Sequence, residues 1–156
     1  MISIGQLSVS LDILTTSGRH PECQALLTPE IARNIEALAS SINLLFGSFG
    51  DRRRVTSGLR SPEFNAALIA AGKKAAKHSL HMRGAAADLE DDDGRLAVWC
   101  NDNLDLLDHF GLWMEDTRYS REKRADGIWA QWVHLQRFPP KSGKRVFIPY
   151  KGPPPS

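Results

Sequence analysis

A helix-start signal, in which a capping hydroxyl is followed by proline and an acid, occurs twice in this chain. The two copies are Thr28-Pro29-Glu30 and Ser61-Pro62-Glu63. The hydroxyl satisfies a free backbone N–H, proline fits the first helical position, and the acid complements the helix dipole. After the first copy, apolar residues recur at helical spacing, and Gly47 is the expected end of this helix. Its predicted core face consists of Ile31, Ile35, Leu38, Ile42 and Leu45.

The second copy predicts a shorter helix that ends at Gly72. A third apolar pattern covers residues 96–110, and Gly111 is its expected stop. The sequence therefore predicts three helices that each turn one face toward a core. On the second helix the predicted face consists of Phe64, Leu68 and Ala71.

Short apolar and β-branched segments between the helices predict strands at residues 54–57, 85–89, 112–115 and 128–135. Residues 73–84 lack periodicity and are expected to form a loop, while Asp126-Gly127 is typical of a hairpin turn. Helices alternate with strands, and two strands follow each other at the end. This order predicts an α+β fold in which helices pack on a small, mostly antiparallel sheet.

Length and composition restrict the protein to a few classes. The chain has 156 residues, of which 42% are hydrophobic, as expected of one domain with its own core. We place that core at residues 28–149 and expect the proline-rich residues 150–156 to be a flexible tail. A net charge of +2 gives no support for nucleic-acid binding. Two cysteines, Cys23 and Cys100, are too few for a disulfide scaffold or a cysteine-rich zinc module.

The N-terminal stretch has no basic region followed by an apolar one, so it does not read as a secretory signal. No apolar run approaches the length of a membrane span. We therefore expect synthesis in the cytoplasm, without a signal peptide and without a membrane span.

Two histidines and one aspartate are the candidate chemical groups. In the segment 79–88, His81 and Asp88 lie seven residues apart, with Gly84 at the join between loop and strand. His134 lies within the last predicted strand. Two imidazoles and one carboxylate form a ligand set that catalytic zinc uses, with its fourth position kept for water. Taken singly, each of these residues also fits an ordinary structural role.

Three segments in this order resemble the zinc D-Ala-D-Ala carboxypeptidase and L-alanyl-D-glutamate endopeptidase family, peptidase family M15. The resemblance is greatest to its small single-domain members from phages and prophages, and it covers about residues 28–149. The segments are Ser57-Gly58-Leu59-Arg60-Ser61-Pro62-Glu63-Phe64-Asn65, residues 79–88, and Trp132-Val133-His134 with the downstream residues 142–149. It implies a Hedgehog/DD-peptidase-like fold.

The resemblance also implies roles for single residues. Arg60 matches an arginine that faces substrate, where it holds a carboxylate or supports a developing oxyanion. Ser79 is expected to order the ligand loop and to border the substrate site, and Trp132 is expected to line that site beside His134. The implied zinc ligands are His81, Asp88 and His134.

The general base is the point at which this chain departs from the family. Several members have an acid three positions before the last zinc histidine, where this chain has Gln131, which cannot accept a proton. The nearest alternative is Glu115, because phage-type members carry a glutamate in a similar Trp-Met-Glu-Asp setting. Asp116 and Asp126 are weaker candidates.

The resemblance implies a zinc-dependent peptidase that cuts peptidoglycan stem peptides at the D-Ala-D-Ala or the L-Ala-D-Glu bond. Such an enzyme would act on the cell wall after release from the cytoplasm as an endolysin, or within a phage particle, with virion or lysis proteins as possible partners. The alternative is a non-catalytic zinc module that keeps the fold. A metal-dependent nuclease is a third hypothesis, which the weak charge disfavours.

Overall fold

This computed structural model describes residues 8–15 and 21–156. Within these residues, six strands form one sheet in the order β1-β2-β5-β3-β6, with β4 beside β5. The pairs are antiparallel except β3 with β6, so the predicted mostly antiparallel sheet is confirmed. The strands are β1 (Val55–Ser57), β2 (Ala86–Glu90), β3 (Trp113–Glu115), β4 (Arg121–Lys123), β5 (Trp129–Gln136) and β6 (Val146–Phe147).

The described residues also contain five α-helices, which together with the sheet confirm the predicted α+β class. They are α1 (Ser8–Thr15), α2 (Pro29–Phe49), α3 (Pro62–Ala70), α4 (Arg95–Asp102) and α5 (Leu104–Phe110). Three short 3-10 helices complete the regular structure: Pro21–Leu26, Leu80–Arg83 and Thr117–Tyr119. None of the helices in the described ranges has the length and hydropathy of a membrane span.

Helix α2 begins as predicted, because the Thr28 hydroxyl accepts a hydrogen bond from the N–H of Ile31. Its predicted end at Gly47 is wrong. The helix continues to Phe49 and stops at Gly50, whose left-handed φ of 85° ends the helical turn. A glycine within a helix costs only about 1 kcal/mol relative to alanine, and the packing of the apolar face outweighs that cost.

Helix α3 also begins as predicted, since the Ser61 hydroxyl accepts from the N–H of Phe64. The predicted apolar face is wrong, because Asn65 is the buried residue of this helix while Phe64 and Leu68 are partly exposed. The predicted third helix is two helices. They meet at Asn103, whose side chain donates to the carbonyl of Trp99 at the end of α4.

The core lies between the sheet and α2, whose predicted face is largely buried. It also includes residues outside the predicted core range, namely Val9 and Ile13 of α1 and Cys23. At the other end of the chain, residues 150–156 were expected to form a flexible tail. There the Tyr119 hydroxyl donates to the carbonyl of Gly152 at 3.0 Å, and Arg121 donates to that of Pro155 at 2.8 Å.

Candidate metal centre

Three buried side chains converge on one point of the sheet. One ligand-type atom from each of His81, Asp88 and His134 lies within 4.8 Å of the others. Strands β2 and β5 are antiparallel with Asp88 directly opposite His134, so both side chains project from the same face. The 3-10 helix just before β2 brings His81 to that face.

Backbone groups and a cap hold His81 in place. Its Nδ1 lies 2.9 Å from the carbonyl oxygen of Gly58, so Nδ1 carries the proton and Nε2 is left as the lone-pair atom. The Ser79 hydroxyl accepts from the N–H of His81, and Gly84 ends the short helix with a φ of 68°. The N–H of Arg60 donates to the His81 carbonyl at 3.0 Å. The loop motif therefore fixes both the position and the tautomer of this imidazole.

Side chains hold His134. Its Nδ1 lies 2.9 Å from Asp88 Oδ1, and its Nε2 lies 2.9 Å from the Oε1 of Gln136. Asp88 Oδ1 also lies 3.5 Å from His81 Nε2. The carboxylate is therefore the group that the two imidazoles share.

The shared carboxylate gives the two histidines opposite properties. Burial lowers the pKa of His81, against the attraction of Asp88. Burial also opposes charge on His134, but the hydrogen bond and charge of Asp88 outweigh it and raise the pKa of His134 to about 9. Burial by itself would raise the pKa of Asp88, yet the two histidines hold it far below its ordinary value. The metal-free centre thus contains a carboxylate and one imidazolium, on His134.

Arg60, predicted to face substrate, borders the three residues. Its guanidinium lies 3.6 Å from Asp88 Oδ2, and its Nε donates to the Ser57 hydroxyl at 3.1 Å. A longer contact of 3.5 Å joins it to Asn65, the buried residue of α3. Burial lowers the pKa of Arg60, which Asp88 and Glu115 oppose. The arginine is therefore a fixed positive group beside the Asp88 carboxylate.

Glu115, the predicted general base, ends strand β3 on the His134 side of the centre. Burial raises its pKa, while His134 opposes that shift and Asp88 adds to it. One of its oxygens, Oε1, accepts from the Ser120 hydroxyl at 2.9 Å. A partly buried carboxylate with a raised pKa beside a candidate metal site has the properties of a general base.

The weaker candidates for the base have other partners. Asp116 caps a 3-10 helix and pairs with Arg118, which lowers the pKa of Asp116. Asp126 accepts from the N–H of Ile128 in the predicted hairpin turn. Gln131 lies an odd number of residues from His134 on β5, and so on the opposite face.

The two predicted substrate contacts differ in their surroundings. Ser79 is buried, and its hydroxyl accepts from the N–H of His81, which agrees with an ordering role for the loop. Trp132 lies two residues before His134 on the same face of β5 and is partly exposed. Contact of either residue with substrate stays a prediction.

Sequence reasoning missed the groups that support the centre. Gly58 acts through its main-chain carbonyl, a group that every residue carries, so this hydrogen bond leaves no signal of its own in the sequence. Gln136 and Ser120 act through side chains, and each is an ordinary residue on or near a strand. Position offered one clue, because residues two apart on a strand share a face, which places Gln136 beside His134.

The donor set fits a divalent metal. His81 Nε2, Asp88 Oδ1 and His134 Nδ1 face one another, and the far nitrogen of each imidazole has an oxygen partner. Such partners fix the tautomer and orientation of metal-binding histidines. Two imidazoles and a carboxylate, with a fourth position for water, are typical of catalytic rather than structural zinc.

Comparison with models of known protein families gives a match. A family model described as peptidoglycan L,D-endopeptidase MepK matches residues 31–108, which is half of the chain. The matched segment contains Arg60, His81 and Asp88 and ends before Glu115 and His134. No curated protein matches the chain, and no solved structure matches it.

Proposed function

Because the chain belongs to the M15 family of peptidases that act on peptidoglycan, we propose that it is a zinc-dependent enzyme that hydrolyses peptidoglycan stem peptides. One observation supports the zinc assignment above all others. His81, Asp88 and His134 form a buried group of metal-ligand type, and the predicted base Glu115 lies close enough for its charge to affect His134.

The chain's own atoms divide the work of holding the metal. We assign His81 Nε2, Asp88 Oδ1 and His134 Nδ1 as the three ligands. The bound Zn²⁺ supplies Lewis acidity, which polarises a carbonyl and activates water at neutral pH. To take up the metal, His134 releases the proton that Asp88 holds on its Nδ1, because a ligating imidazole nitrogen must offer a lone pair.

Glu115 is assigned as the general base. Oε1 is occupied by the Ser120 hydroxyl, and we assign Oε2 to take the proton of the attacking water. The proton then passes to the leaving amine as the C–N bond breaks, which restores the carboxylate. Burial favours this cycle, because the raised pKa of Glu115 brings its proton affinity closer to that required at neutral pH.

Arg60 is assigned to the developing oxyanion or to a substrate carboxylate. Its guanidinium is held by Ser57 and Asn65, so its charge is in place before substrate arrives. Preorganised charge of this kind stabilises a transition state without reorganisation. Ser79 and Trp132 are assigned to the border of the substrate site.

Two stem-peptide bonds are candidates, and the matched family favours one of them. Its description as an L,D-endopeptidase points to a bond between an L- and a D-residue, which the L-Ala-D-Glu bond is and the D-Ala-D-Ala bond is not. We therefore place L-Ala-D-Glu hydrolysis first. We further propose, on the resemblance to phage-type members, a role in phage lysis or entry as an endolysin or virion component.

The experiment is digestion of purified muropeptides that contain both bonds, with products identified by mass spectrometry. The protein is tested as purified, after removal of metal by a chelator, and after addition of Zn²⁺ to the metal-free protein. We expect cleavage at L-Ala-D-Glu that is lost with the metal and restored by zinc. Equal cleavage in all three samples would overturn the zinc mechanism, and cleavage at D-Ala-D-Ala would reverse the bond assignment.

A non-catalytic zinc module is the second candidate, favoured by Gln131 at a position where several family members have an acid. The same experiment decides between them when the zinc content is also measured. One bound zinc without any cleavage would support the module over the enzyme.

A further inference from the structure

We propose that Gln136 is a positioning residue of the metal centre, which turns His134 so that Nδ1, and not Nε2, faces the metal. This inference rests on the proposed metal-binding function, and it adds to it a residue that neither the motifs nor the matched family segment includes. Gln136 is the last residue of β5 and is only 6% exposed.

The orientation of the Gln136 amide follows from its second partner. Its Nε2 donates to the carbonyl oxygen of Phe138 at 2.8 Å, so the nitrogen end of the amide faces Phe138. The oxygen end, Oε1, then faces His134 at 2.9 Å. Because an amide oxygen only accepts, His134 Nε2 must carry a proton.

Protonation of Nε2 leaves Nδ1 as the nitrogen of His134 that can bind metal. Nδ1 lies 2.9 Å from Asp88 Oδ1, which in turn lies 3.5 Å from His81 Nε2. The three assigned ligand atoms therefore lie on the side of the imidazole away from Gln136. If the ring turned over, Nδ1 would face the amide oxygen and Nε2 would face the centre, and the ligand set would change.

The backbone around Gln136 limits its movement. Its register partners are Ala86 on β2 and Trp113 on β3, so this end of β5 is paired on both sides. A buried amide that loses its hydrogen-bond partners bears the cost of desolvation without compensation. Rotation of the amide would break its bonds to both His134 and Phe138, so the carbonyl oxygen stays toward the ring.

The test replaces Gln136 and measures zinc binding. Gln136→Leu keeps the approximate size but removes the acceptor, and we expect zinc affinity, measured by competition with a chromophoric chelator, to fall about 10- to 100-fold. Gln136→Glu keeps an acceptor toward His134 and should retain affinity near that of the original protein. The matched control is Gln131→Leu, the same change on the same strand but on the face opposite His134. Equal affinity in Gln136→Leu and the control would overturn the inference.

A direct readout does not depend on the variant folding or on catalysis. Long-range ¹H–¹⁵N correlation spectra of the zinc-loaded protein report which nitrogen of His134 carries hydrogen. We expect a protonated Nε2 and a metal-bound Nδ1, and the reverse would overturn the inference. If the unaltered protein binds no zinc, the proposed metal function fails. The spectrum of the metal-free protein then tests the contact between Gln136 and His134 separately. The Nε2–H resonance of His134 should differ between the metal-free original protein and Gln136→Leu, because only the former has the Gln136 oxygen as its partner, and identical resonances would refute the positioning contact.

Discussion

The His81 side and the His134 side of the centre are built from different kinds of groups. On the His81 side, residues 57–60 and 79–84, the ring donates to the Gly58 carbonyl and the chain is fixed by backbone hydrogen bonds and a cap. On the His134 side, the ring contacts the side chains of Asp88 and Gln136, with Glu115 nearby. The first arrangement needs two short segments held by main-chain groups, whereas the second needs side chains from three strands.

The family match follows the same division. Residues 31–108 contain the whole His81 side and Asp88, and stop before Glu115, His134 and Gln136. Short segments whose neighbouring residues fix one another's geometry leave short motifs, while partners drawn from distant strands leave scattered residues. Electrostatics separates the two sides as well, because His81 is held neutral and His134 is held charged in the metal-free protein. We infer that the His81 side mainly holds the metal and that the His134 side also supplies the proton chemistry.

Removal of the carboxylate of Glu115 should give the largest loss of activity. It should also separate the proposed proton chemistry on the His134 side from metal binding. Glu115→Gln removes the proposed base, so peptidoglycan hydrolysis should fall about 100- to 10,000-fold. Zinc affinity should stay near its original value, because Glu115 is not an assigned ligand. The control is Glu36→Gln on the exposed face of α2, where activity should not change. A parallel loss of zinc from Glu115→Gln would show that this residue holds metal instead.

A methyl group at Gly58 should destabilise the His81 side, because it would collide with the main chain packed against residue 58. A Cβ there would lie 2.1 Å from the carbonyl oxygen of Ile13, so Gly58→Ala must displace α1 or the carbonyl that orients His81. We expect a loss of about 1–3 kcal/mol in the free energy of unfolding, measured with urea. Gly47→Ala is the matched control, because nothing lies within 4 Å of its new Cβ. Within α2 this control should gain about 0.5–1 kcal/mol. A Gly58→Ala protein as stable as the original would contradict the close packing.

The charge difference between the two histidines should make the free energy of unfolding depend on pH. This effect should be smaller than those of the two preceding substitutions. The folded-state pKa of His134 is about 9, above the ordinary value of 6.5. Its stabilising effect is therefore complete below pH 6.5 and is lost as pH rises through about 9. The lowered pKa of His81 acts only below that interval. The free energy of unfolding of metal-free protein should fall across this range.

Urea unfolding at several pH values, together with NMR titration of the two imidazoles, measures this dependence. Loss of the slope in His134→Gln, and its persistence in His109→Gln, would assign the effect to the centre. A flat profile in the unaltered protein would contradict the charged state of His134.

Local signals predicted the parts of the fold that local chemistry determines. The two hydroxyl-proline-acid starts are confirmed at Thr28 and Ser61, because each hydroxyl makes the capping bond that the pattern requires. Gly47 misled the prediction, since a glycine breaks a helix only when nothing else holds it, and here a long buried face does. Periodicity also could not show the interruption at Asn103, which depends on one side chain reaching back to a carbonyl.

For the centre, the sequence indicated which residues to bring together but not what surrounds them. Recognisable motifs contain His81, Asp88 and His134, and the structure brings these three side chains to one point. Strand β6 and its parallel pairing with β3, next to Glu115, had no local signal because a two-residue strand has no period. The Gln136 and Gly58 contacts depend on register and on a close approach of backbones, and both arise only after the chain has folded.

Helix α1 lies outside both the predicted core range and the matched segment, yet it contacts the loop that positions His81. The carbonyl of Ile13 accepts from the N–H of Leu59 at 2.6 Å, one residue beyond the carbonyl that orients the imidazole. Ile13 makes this bond through main-chain atoms, so many apolar residues could replace it without loss of the bond. This bond therefore constrains the position of α1 without fixing the identity of the side chain. Trimming the protein to its recognisable segment would remove a support of the candidate metal centre that sequence similarity does not mark.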